Sequence, residues 1–329
     1  AILKALSALY ELSLDGVQAA LLGQKAENTF VGCSCGIMDQ LISAMGNEGN
    51  AMLLDCQSLA IEHSPLPDSH QIVIINSNVK RGLVDSEYNL RREQCEQGAS
   101  LLGVSSLREA TIEMLEEAKP HMPDVVYRRA RHIITENART LAASQALKNG
   151  DIETVSEAMA QSHISMCDDF EITVRPIDYL VEIIGEVLGK SGGVRMTGGG
   201  FGGCVVALAP SDKVEAVKQI VADKYFAETG YNADIYVCTA AQGAFAAATK
   251  DVAQGANQGV AQGAAAQGVT LAAAAQSATN RGTTNQGAPN STNVDVTGGN
   301  ELCTPATTTA QSRAQGARAQ GATNQGATN

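Results

Sequence analysis

Seven of the twelve residues from 192 to 203 are glycine. Without a Cβ, such a run admits left-handed backbone and lets the chain pass close to other groups. Val205-Val206-Ala207-Leu208-Ala209 follows and reads as a short buried strand. Residues 212–229 then read as a helix and 233–237 as a closing strand. The run is not a dinucleotide-binding fingerprint, since no strand–turn–helix unit with a distal acid surrounds it.

A second stretch, Val31-Gly32-Cys33-Ser34-Cys35-Gly36-Ile37-Met38-Asp39-Gln40, leads two glycines and two cysteines into a single acid. Residues 40–45 read as a helix with Asp39 at its start. The exposed N–H groups there favour an acid and keep it ionised. A carboxylate on a rigid turn is also what a general base needs, because its distance to a substrate hydroxyl must be fixed. Read locally, Asp39 is either an acid that charges a helix start or such a base.

Elsewhere apolar spacing predicts helices over 1–12, 17–27, 111–118, 124–147, 151–168 and 174–188, and another from about Ser86. Residue 1 is Ala, and 1–12 reads as the middle of a helix with no N-cap before it. Residues 50–57 and 70–77 read as strands. Ser64-Pro65-Leu66-Pro67-Asp68 between them reads as a loop and as the boundary between two domains, 1–66 and 67–240. Arg128, Arg129, Arg131 and Arg139 with Glu136 read as a solvated, salt-bridged helix face. Asp168 and Asp169 read as structural acids, and His63 and His70 as surface histidines. From about Thr239 the composition turns to Gln, Gly, Ala, Thr and Asn, with Gln-Gly-Ala recurring at no fixed period. Residues 241–329 therefore read as a low-complexity, disordered tail.

The net charge of -12 argues against nucleic acid or an anionic membrane as the main partner. No apolar run approaches the roughly 20 residues that a membrane-spanning helix requires. Eight scattered cysteines and no secretory leader suit a reducing cytoplasm. Cys33-Ser34-Cys35 has no second Cys/His pair at zinc-like spacing, so buried thiols are the better reading. The sequence leaves the oligomeric state open.

Four ordered blocks carry a resemblance: Gly23-Gln24-Lys25-Ala26-Glu27-Asn28; Gly36-Ile37-Met38-Asp39-Gln40; Ser86-Glu87-Tyr88-Asn89 with Arg91-Arg92-Glu93-Gln94-Cys95; and Gly192 to Cys204. Together they resemble galactokinases, of the GHMP superfamily of small-molecule kinases, from residue 1 to about 240. The resemblance implies an α+β fold of two domains, the second made of helices packed on an antiparallel sheet. It implies ATP-dependent phosphorylation of galactose, with Asp39 as base, the Gly36 backbone and Tyr88 at the sugar, and Glu27 associated with Mg²⁺. Gly198, Gly199, Gly200, Gly202 and Gly203 would form a loop facing the active site. Other outcomes consistent with the likeness are a non-catalytic sugar-binding or regulatory relative, and a kinase for N-acetylgalactosamine or another hexose. The family's phosphate loop, a Pro-x-Gly-x-Gly-Leu-Ser-Ser-Ser type sequence, is absent from the sequence as given. So is its arginine and Glu-His-Thr-Asp segment, and the first domain reads as incomplete. The expectation is little or no turnover from this chain alone.

Overall fold

The computed structural model describes residues 1–32, 35–80 and 84–246, without the side chains of Val84, Asp85, Ser86 and Tyr88. The chain opens with α1 (Ile2–Leu9) and α2 (Gly16–Ala26). Asp15 caps α2 in a reciprocal capping box: its carboxylate accepts from the Gln18 N–H, and the Gln18 side chain accepts from the Asp15 N–H. Such a cap contributes about 1 kcal/mol. One π-helical turn, Glu27–Val31, continues α2 and ends at Gly32, whose φ of 81° is left-handed. Then comes α3 (Met38–Met45), starting where the sequence places it.

Next, β1 (Asn50–Leu54) and β2 (Ile61–Pro65) pair antiparallel. Here the structure corrects the sequence reading, because Ser64 and Pro65 belong to a strand. Ser64 is buried, with its hydroxyl 3.0 Å from that of Ser144. Pro65 ends the strand opposite Asn50, a position that tolerates a missing N–H. Leu41 and Leu54, both about fully buried, centre a small core shared by α2, α3 and β1.

The larger part is a four-stranded antiparallel sheet with helices on it, the expected α+β arrangement. It comprises β3 (His70–Asn76), α4 (Val84–Leu101), α5 (Ile112–Ala118), α6 (Asp124–Lys148), α7 (Ile152–Asp168) and α8 (Arg175–Leu188). After these come β4 (Gly193–Thr197), β5 (Cys204–Pro210), α9 (Val214–Thr229) and β6 (Asp234–Cys238). The strand order is β4-β5-β3-β6. Val73, Ile75, Val205, Ala207 and Met196 bury one face of it under the helices. Among the described residues no helix is long and apolar enough to cross a membrane.

The glycine run is thus not one loop, since β4 occupies 193–197. A Cβ at Gly192 would lie 2.3 Å from the Leu208 carbonyl oxygen, and one at Gly193 2.5 Å from Met159 Sδ. These two glycines serve close packing of a buried strand, and only 198–203 form the turn. The tail reading also shifts. Residues 241–246 lie against α3, where Gly243, Ala244 and Phe245 donate backbone hydrogen bonds to Gly46, Ser43 and Ala44. Low-complexity composition did not prevent this, because exposed carbonyls at a helix end need donors. Residues 247–329 lie outside those described.

Candidate active site

α2 and α3 cross closely at Gly23, where a Cβ would stand 3.3 Å from Gln40 Cγ. That crossing brings together the carboxylates of Glu27 and Asp39, twelve positions apart. Asp39 lies in the first turn of α3 and remains open to solvent. Its pKa is nonetheless raised, first by the desolvation of its carboxyl and second by the charge of Glu27. The sequence argument expected the helix start to keep this acid ionised; packed protein atoms and a like charge outweigh that pull. Asp39 is therefore a stronger base than an ordinary aspartate, which suits proton abstraction from a hydroxyl.

Glu27 begins the π-helical turn, a local widening of the helix that the sequence did not suggest. Around it the backbone is pinned at Cys35. The Cys35 N–H donates to Asn28 Oδ1 at 3.1 Å, and the Cys35 carbonyl accepts from Gln24 Nε2 at 3.2 Å. The Cys35 thiol lies 3.2 Å from Glu27 Oε2 and accepts from Gln40 Nε2 at 3.6 Å. Gly36 follows directly, so its peptide is held on this fixed base, one residue before the buried Ile37. Cys33 and Ser34 lie outside the described residues. Among the described residues no three His, Cys, Asp or Glu side chains gather as a metal cluster. Two carboxylates still suit Mg²⁺, which takes few protein oxygens and keeps several waters. The charge of Glu27, the second cause of the Asp39 shift, puts two carboxylates at one corner, where a divalent cation would offset them.

The glycine loop is seated by other elements. Gly198, Gly200, Gly202 and Gly203 all have positive φ, as does Phe201 at 57°. The Phe201 N–H donates to the Ile172 carbonyl at 2.7 Å, and a Cβ on Gly200 would lie 2.4 Å from that same oxygen. A Cβ on Gly202 would lie 2.8 Å from the Val79 carbonyl oxygen. The Ser77 hydroxyl and N–H both donate to Gly203 O, at 2.7 and 2.9 Å. Gly199, unlike Gly200 and Gly202, has no atom within 4 Å of its would-be Cβ. Tyr88 falls within the helical span of α4; its side chain lies outside those described.

Sequence reasoning missed the buried charges behind this loop. Arg129 is 2% exposed and ion-paired to Glu171, and Arg195 and Glu136 are buried together with Ser162. The supposed solvated arginine face is thus salt-bridged but partly interior, because α6 is covered by α4 and α7. Desolvation opposes the charge on Glu136, yet Arg195 and its other partners hold its carboxyl below the ordinary range. Asp169 is buried, ion-paired to Arg131 and bonded to Ser165, a structural acid as read. His70, read as a surface histidine, is half-buried, with its Nε2 2.8 Å from the Ser191 carbonyl.

Residues 1–47 match the GHMP kinases N terminal domain, and residues 143–227 match the GHMP kinases C terminal. Among solved structures, a Lactococcus lactis galactokinase complexed with galactose is 34% identical, with a TM-score of 0.68 over 73% of this chain and 63% of that chain. The chain therefore spans less than two thirds of that galactokinase's length. An L. major mevalonate kinase in complex with R-mevalonate is 18% identical, with a TM-score of 0.48 over 72% of this chain and 62% of that one. With the family's N-terminal and C-terminal domains matched in order, and a galactokinase 34% identical over 73% of the chain, the chain belongs to the GHMP kinases.

Proposed function

We propose that this chain is part of a galactose kinase, which transfers the γ-phosphate of ATP to the anomeric hydroxyl of galactose. The observation that carries the reading is the Asp39 carboxyl, raised in pKa on a fixed helix start beside Glu27 and the pinned Cys35–Gly36 peptide. Its support among relatives is the 34% identity to a galactokinase complexed with galactose.

Asp39 accepts or orients the proton of the sugar hydroxyl, which makes that oxygen a better nucleophile. The Gly36 backbone and Tyr88 hold the sugar, whose apolar face and hydroxyls suit a tyrosine. A bound Mg²⁺ neutralises charge on the phosphates of ATP; Glu27 is the residue that would hold it. Gly198–Gly203 close on the site from the larger part of the molecule, where their open side at Gly199 leaves backbone free to meet a ligand. A carboxylate is a weak base against a sugar hydroxyl, so positioning and charge stabilisation carry most of the barrier reduction. On this reading residues 1–66 belong to one domain and 67–240 to the other, and the cleft between them takes the two small molecules.

The test is phosphate transfer by the intact protein from labelled ATP to a panel of sugars. Galactose is expected to be phosphorylated at its anomeric oxygen, at a kcat/KM at least about tenfold above that for N-acetylgalactosamine, the discrimination expected of one misfitted substituent. Preference for another hexose would replace galactose as substrate. Sugar binding with no transfer to any of them would leave a binding protein instead of a kinase.

A further inference from the structure

We infer that Arg91 is a positioning residue for the glycine loop, tying the helix that carries Tyr88 to the chain segment on which residues 198–203 are seated. The inference rests on the reading that this loop faces the substrates. Arg91 lies three residues after Tyr88 on α4 and is 8% exposed. Its Nε donates to the Phe170 carbonyl at 2.7 Å and its Nη2 to the Glu171 carbonyl at 2.9 Å. The remaining nitrogen, Nη1, reaches the Glu87 carboxylate at 3.4 Å. The guanidinium also lies over the ring of Phe201, 5.7 Å from its centroid, within cation–π range.

Phe201 is the one residue with a side chain between Gly198 and Gly203. Its N–H is bonded to Ile172, and Gly200 presses on the same carbonyl. The seating therefore runs from loop to Ile172, from Ile172 to the adjoining Phe170 and Glu171, and from those two carbonyls to Arg91. A second, direct hold is the guanidinium on the Phe201 ring. Burial and the charge of Arg129 lower the Arg91 pKa, so the site works against the cation it keeps. Such a charge is retained where its hydrogen bonds repay the burial. Two successive carbonyls call for a fork of donors, which arginine has and lysine, a single point charge, lacks.

Arg195 and Glu136 do not do the same work: they brace the β4 strand from α6 and α7. The Glu171 carboxylate grips α6 through Arg128 and Arg129, both outside the loop. Arg91 alone of these joins the substrate helix and the loop's own ring.

The experiment compares the intact protein with Arg91→Lys, Phe201→Leu and the double variant. The measurements are backbone hydrogen exchange over residues 198–203 and steady-state kinetics for sugar and ATP. Arg91→Lys is expected to speed exchange across the loop. It is also expected to lower kcat about 10- to 100-fold, the range for a reacting group misplaced by about an ångström, with the sugar KM within about threefold. The double variant is expected to lose little more than Arg91→Lys alone, since Arg91→Lys already removes the guanidinium that both the carbonyls and the Phe201 ring meet. Phe201→Leu keeps the two carbonyl bonds and supplies the test if Arg91→Lys does not fold. Unchanged exchange in every folded variant overturns the inference, whatever the kinetics. Losses in kcat that multiply overturn it too. Faster exchange with unchanged turnover keeps Arg91 as the anchor and overturns instead the placement of the loop at the active site.

Discussion

Glu27 adds its charge to what desolvation already does to Asp39, and removing that charge has a definite sign. Without Glu27 the Asp39 pKa falls in the metal-free protein, so Glu27→Gln is expected to lower the Asp39 titration midpoint followed by NMR in the absence of Mg²⁺; a midpoint that stays put or rises contradicts the account. The same variant is expected to need more Mg²⁺ for half-maximal rate. For stability the sign is opposite to that of an ordinary ion-paired acid. A folded pKa above the unfolded value means that ionised Asp39 costs stability at neutral pH, a cost relieved as pH falls through the folded pKa. Asp39→Asn is therefore expected to unfold at or above the parent's midpoint at pH 7.5, with the gap closing in acid. The glycines divide in the same way between fold and chemistry. Gly200→Ala meets both a φ of 83° and a backbone oxygen 2.4 Å away, and is expected to lose about 2–4 kcal/mol in urea unfolding. Gly199→Ala has open space around it and is expected to stay within about 0.5 kcal/mol while turnover falls. At this scale the sequence pointed to Asp39, Glu27 and the glycines through their residue types. It could not show the direction of the Asp39 shift, which depends on two chain segments meeting at Gly23.

The segment between α7 and α8 shows what local patterns leave out. Glu171 there has a φ of 50° and braces Arg128 and Arg129, which hold its carboxyl down at about 2. The depressed pKa means stability that is present above the unfolded value and lost as pH falls from about 4.5 toward 2. Its side chain is 45% exposed, so solvent screens much of the gain. Glu171→Gln is expected to cost about 1 kcal/mol at pH 7 and to match the parent's stability near pH 2, read by chemical denaturation at both. Helices were the legible elements, because amphipathic spacing and caps such as Asp15, Thr111 and Asp151 are local signals. β2 and β4 were not. Pro65 and the paired glycines at 192–193 look like breakers, and they are tolerated only because of which strand or helix lies beside them. The burial of Arg129 on α6 was hidden for a related reason: helical spacing marks a face, not what covers it.

Across the molecule, the β1–β2 pair is joined to the sheet part by several contacts. Arg108 forks onto Asp55 at 2.8 Å, Lys148 reaches Glu62 at 2.6 Å, and Ala51 packs among Ile72, Ala146 and Leu208. A return crossing by residues 240–246 adds the Gly49 N–H bond to Ala240 and sets Phe245 into the α2–α3 core. Phe245→Ala is expected to cost about 2 kcal/mol, less than a fully buried phenylalanine, and truncation after Cys238 more than that. Thermal unfolding reads both; a truncated chain as stable as the parent would contradict a structural role for the crossing. The order of elements and the family were readable from ordered motifs, whereas this crossing was not, since its residues are small, polar and repetitive. All of this framework matters to function through one acid. The most direct measurement is galactose-dependent ADP formation by the intact protein and its Asp39→Asn variant, with the fold checked by circular dichroism. The account predicts a loss of about 10²- to 10⁴-fold at unchanged secondary structure; a folded variant that retains its rate within about threefold would contradict it.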